Sequence, residues 1–371
     1  MSLSRRSVLL RAAPIAAAPI VAVLAPLPAW AAPDEAGFRA LNRAAVEQVL
    51  LPAYRRFAAS TANLAARLDT LARTPAEKAS LTAAREGFAE AFLAWQAVQH
   101  LRFGPAELFS RHERIQFWPD PRNAIGRDLA AAIAGRDTAA LEARANSLGQ
   151  VTTQGLPALE RLLQGEEAVA RLRAGDAEAG YRAALLRAIG GNLATLAQDL
   201  LAGWTGGEQP FARVLTEPRS PYATPREATL ELFKALYSAI EVVADRKLSR
   251  PLGSSPSTSR MQLLEAWRSN LSGQAIQANL EAARALWTTA FLPAVQAGDA
   301  ELAGLLTRAF DQVNATAAAL PLPLEQEFGI QGRRDAALLL QKEAAALKIL
   351  LSTRLPPALD IPLGFNALDG D

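Results

Sequence analysis

The chain has 371 residues, half of them hydrophobic and none of them cysteine, so disulfides and thiolate metal sites are excluded. Its formal net charge of +2 includes three arginines and no acidic residue in the first 31 positions, and the remainder carries a charge of about −1. That balance argues against nucleic acid or an anionic membrane as a partner.

The first 31 residues have the features of an export signal. Ser4–Leu10 contains two adjacent arginines and leads into an apolar run, and Ala29–Ala31 supplies the small residues that a signal peptidase requires. The alternative is a transmembrane anchor, but the run Ala12–Leu27 is short for a span of ~20 residues and contains three prolines. We therefore predict a twin-arginine signal peptide over residues 1–31, a periplasmic location and no membrane span after cleavage.

The rest of the chain is rich in helix-forming residues and poor in β-branched runs, which predicts an all-α fold. Its 340 residues are enough for about two domains. A segment dense in glycine and proline, residues 203–224, separates a predicted N-terminal helical bundle over 32–202 from a C-terminal one over 225–371. In the first bundle an irregular stretch over 103–123 interrupts the helices. In the second, helices are predicted over 260–272 and 274–297, among others.

The stretch Gly155–Leu163 predicts the start of a helix. Pro157 suits the first helical position, where its missing N–H costs no hydrogen bond. Glu160 is then expected in the first turn, where the helix dipole favours an anion. Leucines at 156, 159 and 163 give the helix one apolar side, so the carboxylate of Glu160 is expected to leave the bundle at the helix start.

This stretch resembles the signature of the imelysin family, Gly-x-His-x-x-Glu at the start of a helix. Gly155 and Glu160 match the pattern, whereas Pro157 takes the place of the histidine, which gives GxPxxE. Six segments resemble imelysin sequences in the expected order, namely Trp95-Gln96, Arg102–Pro105, Phe117–Asp120, Gly155–Glu160, Trp267–Ser269 and Gly364–Asp371. The resemblance implies two related helical bundles in tandem. It also implies one of the family's two described activities, a metallopeptidase or a protein of bacterial iron uptake.

The residues offer little for peptidase chemistry. The chain has two histidines, His100 and His112, and neither lies in an HExxH pattern, so a zinc site that activates water has little support. A lone histidine is more often a surface or hydrogen-bonding residue. There is no Gly-x-Ser-x-Gly motif, and no catalytic residue is assigned. Oxygen ligands suffice for a hard cation such as ferric iron, and the candidate ligands are Glu160, Glu113 and Asp120. The alternative for Glu160 is a structural pair with an arginine.

Two further segments are candidates for a binding site. The loop 102–122 alternates charged and aromatic residues, which indicates either a structural ion-pair network or a polar cleft for an anionic or chelated ligand. Arg268 follows the apolar Trp267, and we expect Arg268 to approach Glu160 across the interface between the two halves. The predicted binding residues are Gly155, Glu160, Arg102, Trp95, Arg268 and Ser269.

The resemblance and the missing histidine together favour a non-catalytic periplasmic protein that binds iron or a chelated small ligand between the two bundles. Other periplasmic iron-uptake proteins are its expected partners. Two alternatives stay open, namely a metallopeptidase with a different residue set and a scaffold for a partner protein.

Overall fold

Helices make up the regular secondary structure in a computed structural model of the chain. The residues it describes are 32–142, 150–217, 220–326, 328 and 330–361, and no strand occurs among them. The predicted signal peptide and the tail segment Gly364–Asp371 lie outside the described residues. No helix in the described part is long and apolar enough to cross a bilayer.

Helices of the first half pack mainly on each other. In chain order they are α1 Glu35–Ala44, a π-helical segment Ala45–Leu50, α2 Leu51–Arg73, α3 Lys78–Gln96, α4 Arg111–Ile115, α5 Ala124–Gly135, α6 Ala139–Glu142, α7 Gly155–Leu163, α8 Glu166–Leu172, α9 Ala177–Thr205 and α10 Phe211–Thr216. The group α2, α3, α7 and α9 shares one apolar core. The predicted apolar row on α9 explains this packing, because Leu185, Ile189, Leu193, Leu196 and Leu200 are all buried.

The second half forms a comparable group. Its elements are α11 Pro225–Glu241, a π-helical segment Val242–Ser249, α12 Arg250–Leu252, α13 Ser272–Leu286, a third π-helical segment Trp287–Phe291, α14 Leu292–Gly298, α15 Ala300–Ala318 and α16 Gln331–Ala358. Helices α11, α13, α15 and α16 pack against one another.

The two groups also contact each other directly. Helix α1 lies against α11 and against the π-helical segment Trp287–Phe291, and α3 contacts α13. The segment 203–224 is not wholly irregular, because it contains the end of α9 and all of α10, with Trp204 and Leu215 buried. A division of the chain at this segment stays a prediction.

The helix predicted over 260–272 is wrong. A short 3₁₀ turn, Met261–Leu263, is followed by consecutive turns, and Ala266 and Asn270 have positive φ values of 56° and 58°. A regular helix does not accommodate these left-handed residues. The turns instead direct polar groups of this segment towards the first half, where the candidate site is found.

Candidate functional site

Gly155 fixes the start of the motif helix α7. Its φ is +75°, and a Cβ at this position would lie 2.4 Å from the backbone carbonyl oxygens of Arg114 and Ile115. Glycine is therefore required both by the left-handed backbone and by the close approach of the end of α4. Pro157 is the third residue of α7 rather than the first, still among the positions whose N–H has no partner within the helix.

Glu160 lies in the second turn of α7 and not in the first, because the helix begins at Gly155. Its side chain does not leave the bundle: the residue is 5% exposed. Its Oε1 accepts hydrogen bonds from the backbone N–H of Ser269 at 3.0 Å and from the Ser269 hydroxyl at 2.8 Å. Burial raises the pKa of the Glu160 carboxyl, and the two bonds from Ser269 oppose that shift. The structure thus joins the motif helix to the turns of the second half.

Charged neighbours surround this contact. The guanidinium of Arg268 stacks on the ring of Trp267, 4.2 Å from its centroid, and its charge favours the ionised form of Glu160. Arg161 donates to Asn123 at 2.6 Å and lies 3.7 Å from Asp120. We call Asp120, Glu160, Arg161, Arg268 and Ser269 the motif cluster. The partner that binds Glu160 is Ser269 rather than the side chain of Arg268, which was expected to pair with it.

A cavity with both polar and apolar lining opens between residues of both halves. It encloses about 450 Å³ when the solvent at its mouth is included, and about 30 Å³ of it is open to the centre of a water-sized sphere. We call it the histidine cavity, and its lining residues are Gln99, His100, Arg102, His112, Gln116, Trp118, Ser238, Ala239, Val242, Arg246 and Asn279. An outer pocket of about 350 Å³ shares Trp118 and Arg246 with it and also contacts Asp120 and Arg250.

Both histidines of the cavity are held neutral. Burial lowers the pKa of His100 and of His112 to about 4, and in His112 the charge of Arg102 acts in the same direction. His112 Nε2 lies 2.9 Å from the carbonyl oxygen of Gln99, which only accepts, so Nε2 carries the proton. Nδ1 is then an acceptor for Arg102, whose Nη2 lies at 3.3 Å and also donates to Glu113 at 3.2 Å.

Two arginines of the cavity region have no hydrogen-bond or ion-pair partner among the described residues. Arg246 lies in the π-helical segment Val242–Ser249, and Arg250 follows four residues later at the start of α12. Both side chains are exposed, and both line the outer pocket beside Trp118. Because a guanidinium offers a planar set of donors, this pair can hold a carboxylate or another oxyanion.

A buried ion pair lies behind the inner wall of the cavity. Lys247 Nζ is 2.5 Å from Glu265 Oε2, and the two side chains are 2% and 1% exposed. Lys247 also donates to Gln96 Oε1 at 2.6 Å and to Asn279 Oδ1 at 2.5 Å, and Gln116 Nε2 donates to Glu265 Oε1 at 2.6 Å. Burial lowers the pKa of Lys247, and the Glu265 carboxylate opposes that shift. We call these five residues the lysine network.

Comparison with known proteins identifies the family. Residues 50–353 match the sequence model of Imelysin, Peptidase_M75. The chain belongs to the imelysin family. The resemblance expected from the motifs and the all-α fold are thereby confirmed, whereas the replacement of the motif histidine by Pro157 stays an inference from the sequence.

Two solved structures share the imelysin fold of this chain. An imelysin-like protein from Psychrobacter arcticum 273-4 has a TM-score of 0.72 and 20% identity, and the match covers 90% of this chain and 98% of that one. A protein provisionally named iron-regulated protein A precursor, from Parabacteroides distasonis ATCC 8503, has a TM-score of 0.72 and 15% identity, with 89% and 98% covered. Identities this low establish the fold alone. No curated protein matches the sequence.

The three carboxylates predicted as metal ligands do not come together. Among the described residues, no group of three or more histidine, aspartate or glutamate side chains could hold a metal ion. Glu113 pairs with Arg102 and is half-exposed, and Asp120 accepts from the backbone N–H groups of Ala124 and Ile125 at the start of α5. Glu160 is engaged by Ser269, and a metal role for any of the three carboxylates stays a prediction.

The predicted binding residues divide between two places. Gly155, Glu160, Arg268 and Ser269 belong to α7 and the turns that contact it, whereas Arg102 lines the histidine cavity. Trp95 lines neither pocket; it is a core side chain whose ring packs on His112 at 5.1 Å between centroids.

The sequence reasoning missed most of the cavity, including Gln116, Arg246 and Asn279. It also missed the Lys247–Glu265 pair behind the cavity wall. Both histidines were set aside as ordinary surface or hydrogen-bonding residues, yet both line the cavity, His100 buried and His112 partly buried. One signal was available: Asn279 interrupts the apolar side of α13 between Ile276 and Leu280, all three being buried. A polar residue on a buried helical face requires a partner, and here it marks the lysine network.

Proposed function

We propose that this member of the imelysin family is exported to the periplasm and binds an anionic chelate of ferric iron in the histidine cavity and its outer pocket, without cleaving peptides. The observation that carries the proposal is the pair of arginines without a partner among the described residues, Arg246 and Arg250, which line one pocket with Trp118. Arginines that lack a protein carboxylate favour a ligand that brings its own negative charge.

Iron enters the proposal through the relatives and not through a ligand set. One structural neighbour is provisionally named an iron-regulated protein, and the family resemblance includes proteins of iron uptake. Bare ferric iron would require several converging oxygen ligands. The residues that converge on this cavity are guanidinium, imidazole and amide groups, which suit a chelate better than the free ion.

The state of His112 supports a binding role over a peptidase role. His112 is committed through Nε2 to the backbone of Gln99 and through Nδ1 to Arg102. A histidine with both ring nitrogens engaged in the fold has none left to bind zinc or to accept a proton from water. A chelator-sensitive cleavage of denatured protein substrates that persists through purification would contradict this part of the proposal.

The twin-arginine pattern supports export. Replacement of both Arg5 and Arg6 by lysine is expected to leave the precursor in the cytoplasm, because that route requires the arginine pair. Cell fractionation with an antibody to the protein measures the outcome. Normal periplasmic accumulation of the double variant would count against export by this route.

Calorimetry tests the binding site. Wild-type protein from the periplasm is titrated with ferric citrate, and the same titration is made with Arg246→Gln/Arg250→Gln. We expect micromolar or tighter binding and a loss of about 100-fold or more in the variant, since it removes two charge-assisted contacts and each contributes about 1.5–3 kcal/mol.

The matched control for this titration is Arg56→Gln, because Arg56 is an exposed arginine of α2 that lines neither pocket. Its affinity is expected to equal that of the wild type. Wild-type protein that binds no ferric citrate at micromolar concentrations would remove the iron proposal and favour the scaffold role.

A further inference from the structure

Small side chains on one helical face contribute to the space in the histidine cavity. Ser238 and Ala239 on α11 and Val242 one turn later line the cavity, and Arg246 follows after one further turn. Residues four positions apart lie on the same side of a helix, so these positions share one face. Because Arg246 lines the outer pocket as well, it lies where the two spaces meet.

The inner space of this cavity is too small for a whole iron chelate. About 30 Å³ of it is open to the centre of a water-sized sphere, whereas one water molecule needs about 10–15 Å³ of such space. There is thus room for roughly two or three water-sized atoms, which matches the carbon and oxygens of a carboxylate. A chelate that uses the cavity can place one such group inside it, and its bulk must remain at the mouth and in the outer pocket.

The charges around the inner space suit an anion. No aspartate or glutamate is among the described residues that line it, and its cationic side chains are Arg102 and Arg246. The positive charges of both lower the pKa of His112, so both guanidinium groups lie near the same ring.

Both arginines retain donors for a ligand. Arg102 uses Nη2 for His112 and Glu113, and its Nε and Nη1 have no hydrogen bond among the described residues. The Glu113 carboxylate offsets part of the Arg102 charge, whereas Arg246 has no carboxylate partner in the described part of the chain. A planar carboxylate is the group that the free N–H groups of a guanidinium recognise best.

We infer that the ligand is a ferric chelate with a carboxylate that the metal does not hold, and that this free carboxylate enters the histidine cavity to contact Arg102 and Arg246. The rest of the chelate lies at the mouth and in the outer pocket, where Arg250 contacts it. This inference deepens the proposed function and rests on it, because it names the class of chelator. Polycarboxylates that leave an arm free belong to that class, whereas catecholates, whose oxygens are all bound to the iron, do not.

Two ferric complexes that differ in the free carboxylate test the inference. Ferric dicitrate, formed with excess citrate, has uncoordinated carboxylates, whereas the ferric complex of a synthetic hexadentate tris-catechol chelator is also strongly anionic and has none. Calorimetry on the wild-type protein is expected to give a dissociation constant at least about tenfold tighter for ferric dicitrate, because the catecholate lacks the group that the arginines bind in the cavity. A separate titration with iron-free citrate corrects for binding of the chelator itself.

The outcomes separate the inference from the proposed function. Equal affinities for the two complexes, or tighter binding of the tris-catecholate, would overturn the inference and leave the binding of anionic ferric chelates standing. Failure of both complexes to bind at micromolar concentrations would overturn the proposed function as well.

Variants that fill the inner space locate the carboxylate. Ser238→Leu and Val242→Leu each add apolar volume to the small helical face without changing a charge, and ferric dicitrate affinity should fall at least about threefold in each. Ser238→Ala is the matched control, because it adds no volume, and it should keep the wild-type affinity. The tris-catecholate should bind all three variants as it binds the wild type. Thermal melts confirm that each variant is folded, and the comparison of the two complexes on the wild type depends on no variant. Unchanged ferric dicitrate affinity in both folded leucine variants would show that no carboxylate enters the histidine cavity.

Discussion

The protein contains two buried carboxylates that link its halves, and they are stabilised in different ways. Glu160 accepts two hydrogen bonds from a neutral partner, Ser269, with arginine charges farther away. Glu265 faces a lysine ammonium at 2.5 Å inside the core. The comparison teaches that equal burial does not mean equal dependence on charge. Glu160 retains its partner when it is neutral, whereas neutral Glu265 would leave a buried cation unpaired.

The largest loss of stability is expected when the buried Lys247–Glu265 pair is broken. Lys247→Met should lower the free energy of unfolding by about 3–5 kcal/mol, because it leaves the Glu265 carboxylate buried without its counter-charge. Urea denaturation measures the loss. Lys234→Met, which removes a lysine from a solvent-accessible pair with Glu231, should cost less than about 1 kcal/mol.

A double variant separates the charge from the packing at the same position. Lys247→Met/Glu265→Leu removes both charges and should recover a large part of the stability lost in Lys247→Met. A double variant as unstable as the single one would show that the hydrogen bonds to the surrounding amides, and not the uncompensated charge, are what the core depends on.

The next largest effect on stability is expected from the two histidines of the histidine cavity, and it depends on pH. The pKa of His100 and of His112 is about 4 in the folded protein and about 6.5 when unfolded, so between these values the unfolded chain binds more protons. The free energy of unfolding is therefore not reduced by the histidines above pH 6.5. It falls as the pH decreases towards 4, by on the order of 3 kcal/mol for each histidine.

Unfolding curves from pH 7 to 4 on the wild type, His100→Gln and His112→Gln measure this effect. Glutamine does not titrate in this range, so each variant should show a shallower decline than the wild type. Parallel declines in all three proteins would show that the acid sensitivity arises from carboxylates elsewhere.

The smallest effect is expected at Glu160. A glutamine there keeps an oxygen that accepts from Ser269, and burial already favours the neutral form, so Glu160→Gln should cost only about 1 kcal/mol. Because Glu160 lies outside the lining of the histidine cavity, ferric citrate affinity should stay within twofold of the wild type. Thermal melts and calorimetry on the same preparation measure both. A tenfold loss of binding with an unchanged melting temperature would instead place the ligand at the motif cluster.

Local sequence patterns predicted the helices well. The apolar row on α9 follows from spacing alone, and the proline and glycine residues within 103–123 marked a stretch that contains only short helical turns. The pattern failed at 260–272, where the composition is compatible with a helix but Glu265 and Ser269 have partners far away in the chain. Tertiary contacts override local propensity there.

The candidate site was harder to predict because its residues meet only after folding. Gln116 and Glu265 are 149 positions apart, and Gln96 and Lys247 are 151 apart. The sequence predicted that Glu160 approaches the second half, but it named Arg268 and not Ser269 as the partner of its carboxylate. A lysine within a predicted amphipathic helix is expected on the solvent side, and only the packed structure shows that Lys247 is in the core.

In the π-helical segment Val242–Ser249, the number of residues sets the direction of the side chains as much as their identity sets their chemistry. A π turn contains one more residue than an α turn, and the extra residue changes which side chains of the segment face the core and which face the cavity. Here Lys247 points into the core while its neighbour Arg246 lines the cavity. Deletion of one residue would rotate the following side chains by about 100° relative to the preceding ones. Among relatives, then, the number of residues from Ser238 to Lys247 is the quantity to compare first, since an insertion or deletion there turns Arg246 away from the cavity and Lys247 away from the core together.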